Sequence, residues 1–526
     1  MTSFIMKSNV ALDVESKALV EPSANKKTTI VDIESSKAES KRNRGSSLKQ
    51  VMTSLIANLG TINTGLVFGF SAVALPQLKN PDSSSLVLGL SEASWFASMS
   101  SISTPIGCLL SGWLMDRIGR KKTLIVTELP LIIGWLLICS AVNIEMLYIG
   151  RLFVGFGSGM VGAPARVYTS EVTQPHLRGM LSALASVGVS LGVLIEYTFG
   201  SFLSWSLLAG INTIIPILSC VLISLMPETP NWLLSKGRTE DARIALNRCR
   251  GGACNVDKEL NKLVGFVTDN NIVQLSGWKD TWKALVKPSS LKPFGILFTY
   301  FLIYQFSGVN SITFYAVDVF EESGTALDKN FATILLGIIR LVSTIIACVL
   351  LRRCGRRPLT MISGIGCGIT MLGLGSYMYA AENWKATGQE VILTWIPLAL
   401  IFLFIIASTL GYLVVPWVMI GEVYPTQVRG IAGGCTTFIG HFFVFLVVKT
   451  FPLFQELMSN HGTFWLYGAI SLTGSIFFYL CLPETKGRSL QEIEDYFCGR
   501  VKTLGKIPSS ANMPRVLDVP KGQVLP

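Results

Sequence analysis

Charge is what this sequence has least of. Only 15% of its 526 residues are Asp, Glu, Lys or Arg, against about a quarter in an ordinary soluble domain. Histidine is rarer still, with three in the whole chain, which argues against a histidine-built metal centre. Eleven cysteines show no paired spacing. Most, including Cys108, Cys139, Cys220, Cys348, Cys367, Cys435 and Cys481, lie inside apolar runs and read as small packing residues, not as a disulfide framework. No Asn-x-Ser/Thr sequon occurs, so N-glycosylation is not expected. The first 48 residues lack the apolar core of a cleaved signal peptide and read as a mobile arm. No nucleophile, base and orienting group come together in the pattern, so neither an enzyme nor a cofactor is expected.

What is abundant is apolar length. Hydrophobic residues make up 50% of the chain, and mean hydropathy is +0.51. Apolar runs begin near Val51, Ser94, Thr123, Met146, Met180, Leu203, Pro293, Phe331, Pro358, Leu393, Ile431 and Thr463. Each is roughly 18 to 25 residues long, enough for a helix to cross a bilayer. The fold class is therefore all-α and polytopic, with twelve transmembrane helices and the lipid bilayer as surroundings.

A net charge of +11 would suit a nucleic-acid partner, but its placement argues otherwise. Lys41, Arg42, Arg44 and Lys49 precede the first run. Arg117, Arg120, Lys121 and Lys122 follow the second, Arg352, Arg353, Arg356 and Arg357 the eighth, and Lys486 and Arg488 the twelfth. The alternate connections carry chiefly Lys79, Lys329, Lys385 and Lys449. That bias places both termini and the long middle loop in the cytoplasm.

The chain also repeats itself once. Asp116-Arg117-Ile118-Gly119-Arg120-Lys121 after the second run answers to Arg352-Arg353-Cys354-Gly355-Arg356-Arg357 after the eighth. Glu171 with Arg178-Gly179 is matched by Glu422 with Arg429-Gly430, and Pro227-Glu228-Thr229 by Pro483-Glu484-Thr485. Three motifs in one order mark a duplicated six-helix unit, the plan of many secondary transporters. The expected domains are a cytoplasmic arm over 1–48, one six-helix bundle over 49–226 and a loop with short helices over 227–292. A second bundle follows over 293–482, then a tail over 483–526. Within the loop, Thr239 to Cys249 and Asp257 to Val264 have helical periodicity. The repeated charges lie where two halves would meet. Glu171 and Glu422 can pair with Arg178, Arg429, Arg120 and Arg356 and so bias a two-state gate. Equally, they could serve only to set topology.

The most unusual stretch lies inside the seventh run, from Gln305 to Tyr315: Gln-Phe-Ser-Gly-Val-Asn-Ser-Ile-Thr-Phe-Tyr. Two amides, a glycine and several hydroxyls are costly in lipid. They either hydrogen-bond neighbouring helices or grip the hydroxyls of a solute. On an unbroken helix Gln305 and Asn310 would stand roughly 140° apart, bordering one wide cavity but not one narrow stripe.

These motifs, with Gly150-Arg151, Tyr168-x-x-Glu171, Pro416-Trp417 and the Pro-Glu-Thr-Lys-Gly-Arg of residues 483–488, resemble the sugar porter family of the major facilitator superfamily. The texture is most similar to its insect facilitative trehalose transporters. The resemblance implies two pseudo-symmetric bundles, alternating access without ATP, and a small sugar as partner. It places Gln305, Asn310, Phe314, Tyr315 and Trp417 where such proteins touch or cover sugar. Trp417 would offer an aromatic face to the sugar's C–H bonds. Against the family pattern, Tyr304, Ser186, Arg340 and Gly440-His441 replace a glutamine, a glutamine, an asparagine and an Asn-Trp pair of the pocket. Arg166 replaces a proline, Thr409 an acidic residue, Val414 a proline, Arg352 an acidic residue and Asn231 an arginine. Selectivity for a monosaccharide therefore does not carry over.

Proton-driven members of that family carry an aspartate where this chain has Val67, and no ionisable residue lies between Val51 and Leu78. Its absence favours facilitated diffusion of trehalose or a hexose such as glucose. Glu196 is the one candidate substitute for a proton-coupled cycle. Two further readings stay open: transport of an anionic organic solute, favoured by Arg340, and a sensor that binds sugar without moving it. Glu196 and Arg340 fall within about 6 Å in depth, and the resemblance sets their helices at one seam, so an ion pair that partly closes the outer vestibule is expected; the alternative is that Arg340 points into a hydrated cavity while Glu196 pairs elsewhere or is neutral. A plasma-membrane location is expected, and Glu15-x-x-x-Leu19-Val20 only weakly resembles a vesicular sorting signal.

Overall fold

The computed structural model describes residues 46–500, apart from 82–85, 175–176, 178–180, 182–183, 252–255, 272–281, 284, 323–326, 426–427, 487 and 489. Its architecture is all-helical. The first crossing joins Ser47–Ala57 to Leu59–Lys79; the second is Leu90–Ile118, the third Arg120–Cys139, the fourth Ile144–Val172, the fifth Leu184–Gly200. The sixth is Trp205–Asn212 with Ile214–Ser224. In the second half the seventh is split three ways, into Pro288–Phe306, Val309–Phe314 and Ala316–Glu322. Lys329–Arg353 and Arg356–Ala386 follow, then a tenth divided into Trp395–Leu410 and Val415–Val423. The next helix, Arg429–Cys481, has 53 residues. At 1.5 Å per residue it would far exceed a hydrocarbon core of about 30 Å. The backbone breaks at Ser459 (φ 61, ψ 168), which divides it into the eleventh and twelfth crossings.

Eight described helices are long and apolar enough to cross a membrane on those grounds alone, the broken Ile431–Cys481 run counting once. The second crossing falls outside that test because it is rich in serine. Ser98, Ser100, Ser101, Ser103 and Thr104 are buried against protein, where hydroxyls bond back to their own helix, as Thr104 does to the Ser100 carbonyl at 2.7 Å. Such small polar residues let helices approach closely when apolar burial gives no drive inside lipid. The first and fifth crossings show the limit: a Cβ added at Gly192 would lie 2.9 Å from the Gly65 Cα.

At the end carrying the repeated basic motifs, hereafter the basic end, three short helices follow the sixth crossing: Pro230–Ser235, Thr239–Arg250 and Val256–Asn271. Leu233, Ala242, Ala245, Leu246 and Leu260 form their small core. The Arg250 guanidinium ties this platform to the bundle, with Glu259 at 2.7 Å and the Val172 carbonyl at 2.5 Å. The Ser46 N–H donates to the Arg250 carbonyl at 2.8 Å. A final helix, Leu490–Phe497, docks by its buried Ile493 and Phe497. Most of the expected arm and tail, 1–45 and 501–526, lies outside the described residues.

Candidate functional site between the two halves

The seventh crossing is not one helix, and that changes what its amides can do. Its first segment stops at Phe306, and Gly308 sits at φ +90, a backbone conformation open to glycine and strained for other residues. A Cβ there would also fall 2.6 Å from the Tyr467 ring. The break brings the two amides face to face: Asn310 Nδ2 donates to Gln305 Oε1. The 140° separation expected of a continuous helix is thereby corrected. Gln305 Nε2 reaches the Gly440 carbonyl at 3.4 Å, a long bond that leaves the amide able to turn to another acceptor.

Both amides line a cavity of about 900 Å³, part of it open to solvent, between the two halves. Tyr304, Arg340, Ser186, Trp417 and His441 line it as well. Trp417 packs against Phe301 with ring centroids 5.0 Å apart and against His441 at 5.3 Å, which fixes the indole in place. His441 Nδ1 lies 3.0 Å from the Thr437 carbonyl. Phe314 and Tyr315 do not line the cavity. Both are buried on the side of it away from the basic end, Phe314 beside Phe68 at 5.3 Å and Tyr315 donating to the Val448 carbonyl at 3.3 Å.

Other lining residues carry no mark in the sequence motifs. Thr61, Thr64 and Phe68 of the first crossing face the cavity; their spacing of three and four residues, one helix face in a charge-free span, is the signal that could have found them. Ser158, Gly159, Gly162 and Ala163 form a similar stripe on the fourth, joined by Arg166, which the sequence marked only as the replacement of a family proline.

Beyond the cavity, at the far end, the halves are joined. Tyr197 of the fifth crossing donates to the Thr313 carbonyl at 2.7 Å, and Ser94 donates to the Lys449 carbonyl at 3.2 Å. The Lys449 ammonium stands 4.0 Å from the Trp95 ring centroid. Lys79 meets Asp318 at 2.7 Å. Most of these polar contacts between the halves thus lie on one side of the cavity; Ser190 and Thr344 add another at 2.8 Å, one turn from Arg340 and level with the cavity.

At the basic end the repeated charges pair within each half, and none pairs across the halves among the described residues. Arg120 Nη2 is 3.1 Å from Glu171 Oε1, and Arg356 Nη2 is 2.6 Å from Glu422 Oε1. The third member of each repeat, which the sequence motif left without a role, acts as a helix cap. Glu228 accepts the backbone N–H of Arg120 and Lys121 at 2.9 and 3.0 Å, at the start of the third crossing. Glu484 does the same for Arg356 and Arg357 at 3.0 and 3.1 Å, at the start of the ninth. A carboxylate there satisfies orphan donors and faces the positive end of the helix dipole. Asp116 is exposed and 3.6 Å from Arg120, and Arg117 lies over the Trp113 ring of its own helix. Arg178 and the side chain of Arg429 lie outside the described residues.

The expected Glu196–Arg340 pair is absent, and the reason is orientation. Glu196 turns into its own half, where Oε1 accepts from Asn212 at 3.1 Å and where its stem fills the space left by Gly69. Arg340 turns to the cavity and donates to Thr313 Oγ1 at 2.7 Å. Matched depth did not imply matched facing.

The first half also buries an arginine that has no carboxylate ligand among the described residues. Arg151 donates to the carbonyls of Phe96 and Val67, both at 3.2 Å, and to Ser71 and Ser100 at 2.5 and 3.0 Å. Phe96 presents its ring face 4.9 Å from the guanidinium. Val67, the position of the missing aspartate, therefore stands beside Arg151 but gives it only a backbone oxygen.

The family described as Sugar (and other) transporter matches residues 24–497. The facilitated trehalose transporter Tret1 of Culex quinquefasciatus is 33% identical over 468 residues, covering 88% of this chain and 89% of that protein. Tret1 of Drosophila yakuba is 34% identical over 469 residues, 88% of this chain but 54% of that one, so the chain spans about half the length of that relative. Among solved structures, the proton:xylose symporter XylE bound to 6-bromo-6-deoxy-D-glucose has a TM-score of 0.69 at 22% identity, over 86% of this chain and 99% of that one. The inward open conformation of XylE from E. coli gives 0.68 at 22% identity, over 84% and 98%. These likenesses show a shared fold.

Proposed function

Since the chain belongs to the Sugar (and other) transporter family, we propose that it is a facilitative transporter moving a sugar, trehalose or a hexose such as glucose, across the plasma membrane by alternating access. The observation that carries this reading is the cavity midway between the halves, where an amide pair, hydroxyls and a fixed indole converge. Amides and hydroxyls match the donors and acceptors of a sugar, while Trp417 meets its apolar C–H face. With both termini in the cytoplasm, the joined far end is the extracellular side, and the cavity belongs to a state turned towards the cytoplasm.

The uniport mode is supported by Arg151. Its donors are occupied by carbonyls, hydroxyls and aromatic faces, so its hydrogen bonding needs no titrating carboxylate ligand. Glu196, the nearest acidic candidate, hydrogen-bonds Asn212 in the interior of the first half. The paired charges at the basic end act as clamps that hold each half rigid while the halves move against one another.

Uptake of radiolabelled trehalose and glucose into vesicles reconstituted with the purified protein tests this reading. Saturable uptake of at least one, unaltered by a proton gradient, is the expected result. No saturable uptake of either sugar would overturn it.

A further inference from the structure

We infer that the cavity selects a hydroxyl-rich organic anion, a sugar carboxylate, over a neutral sugar of the same size; the inference rests on the transport reading above and names the class of its cargo. Two arginines line the cavity, Arg166 from the first half and Arg340 from the second, and no aspartate or glutamate lines it among the described residues. Arg340 is 3% exposed. One of its nitrogens is held by Thr313, and its buried Nε has no partner. Arg166 stands 5.7 Å from the Trp417 ring centroid across the seam, with no hydrogen bond or ion pair among the described residues.

The contrast with Arg151 gives these two their meaning. Arg151 is as buried as Arg340, yet carbonyls and hydroxyls occupy its donors. The fold therefore satisfies a structural arginine without a carboxylate where it needs one. In the cavity it leaves guanidinium donors unused. The buried carboxylates of the first half point elsewhere: Glu128 accepts from Ser219 at 2.7 Å and from Asn63 at 3.2 Å, and Glu196 turns Oε1 to Asn212 at 3.1 Å, away from the cavity lining.

An uncompensated cation at mid-membrane is costly and calls for water or a counter-charge. A neutral sugar brings only dipoles. A sugar carboxylate brings the counter-charge in a plane that suits a guanidinium fork, and its hydroxyls still meet Gln305 and Asn310.

The test is calorimetric binding to the full-length purified protein. The probes are D-glucuronate, its neutral methyl ester, glucose and trehalose, with the unaltered chain and with Arg340→Gln, Arg166→Gln and the double variant. Glucuronate should bind roughly tenfold or more tightly than its ester, the gain of a charge-assisted over a neutral hydrogen bond. That ratio should fall in each single variant and approach one in the double variant. Equal affinity for glucuronate and ester in the unaltered chain would overturn the inference, as would an unchanged ratio in the double variant. Binding of neutral sugars without preference would sink this inference alone and leave the transport reading standing. Binding of none of the four probes would sink both.

Discussion

At the basic end the two halves are copies of one another. Arg120 meets Glu171 as Arg356 meets Glu422, and Glu228 caps the third crossing as Glu484 caps the ninth. Deeper in, they part. The first half buries Arg151, Glu128 and Glu196 completely and gives them separate carbonyl, hydroxyl and amide partners, with Glu196 Oε2 left unpartnered among the described residues. The second half buries one charged group, Arg340, beside the cavity, and away from it pairs tyrosines with hydroxyls, Tyr300 with Thr360 at 3.0 Å and Tyr412 with Ser471 at 3.3 Å. It also breaks two helices, at Gly308 and across Gly411–Val414. Duplication was held at the membrane surface and released in the interior. Both copies need the same clamp, but only one copy bends to bring amides and Trp417 to the cavity.

Removing a bend should erase this asymmetry at the greatest cost. Gly308→Ala forces a side chain into a positive-φ position and against Tyr467. Strain of about 1–3 kcal/mol adds to the steric clash. Transport should be lost, with lowered thermal stability in a fluorescence melting assay; full activity would mean that the bend is not needed. Next come the amides: Gln305→Ala and Asn310→Ala should each weaken substrate binding by roughly 1–3 kcal/mol with the fold kept, because polar groups are left unpaired. Unchanged apparent affinity for both would assign them to helix packing.

A smaller effect probes the symmetry of the surface clamps. Glu171→Gln and Glu422→Gln each loosen one clamp, at a cost of about 1.5–3 kcal/mol for a hydrogen bond to a charged group. If the halves are equivalent there, the two variants should slow transport to a similar extent and raise labelling of a reporter cysteine in the basic-side half of the cavity alike. A defect confined to one of them would show the clamps are not equivalent. The smallest effect is expected at the far end. Lys79→Ala removes a pair whose lysine side chain is 37% exposed, worth at most about 1 kcal/mol. Uptake rates should change little, and a collapse would make that pair a true gate.

The twelve crossings, the duplication and a third of the lining were legible in the sequence, through apolar length, through residue types expensive in lipid and, for the pocket positions beyond Gln305 and Asn310, through the family resemblance. Tyr304, Gln305, Asn310, Arg340, Trp417, Ser186 and His441 all face the cavity. Facing was not legible where a helix breaks or where depth alone was used. Phe314 and Tyr315 follow a bend that periodicity does not register, and Glu196 shares Arg340's depth but not its side of the fifth crossing. The capping role of Glu228 and Glu484 was hidden for another reason. Their partners are backbone N–H groups, which every sequence has.

Passage of a sugar through a cavity that needs no proton is tested best by labelled trehalose and glucose in reconstituted vesicles. Internal sugar should rise only to the external concentration, at the same rate with and without an imposed proton gradient. Accumulation above that level when the gradient is applied, lost when it collapses, would contradict proton-independent transport.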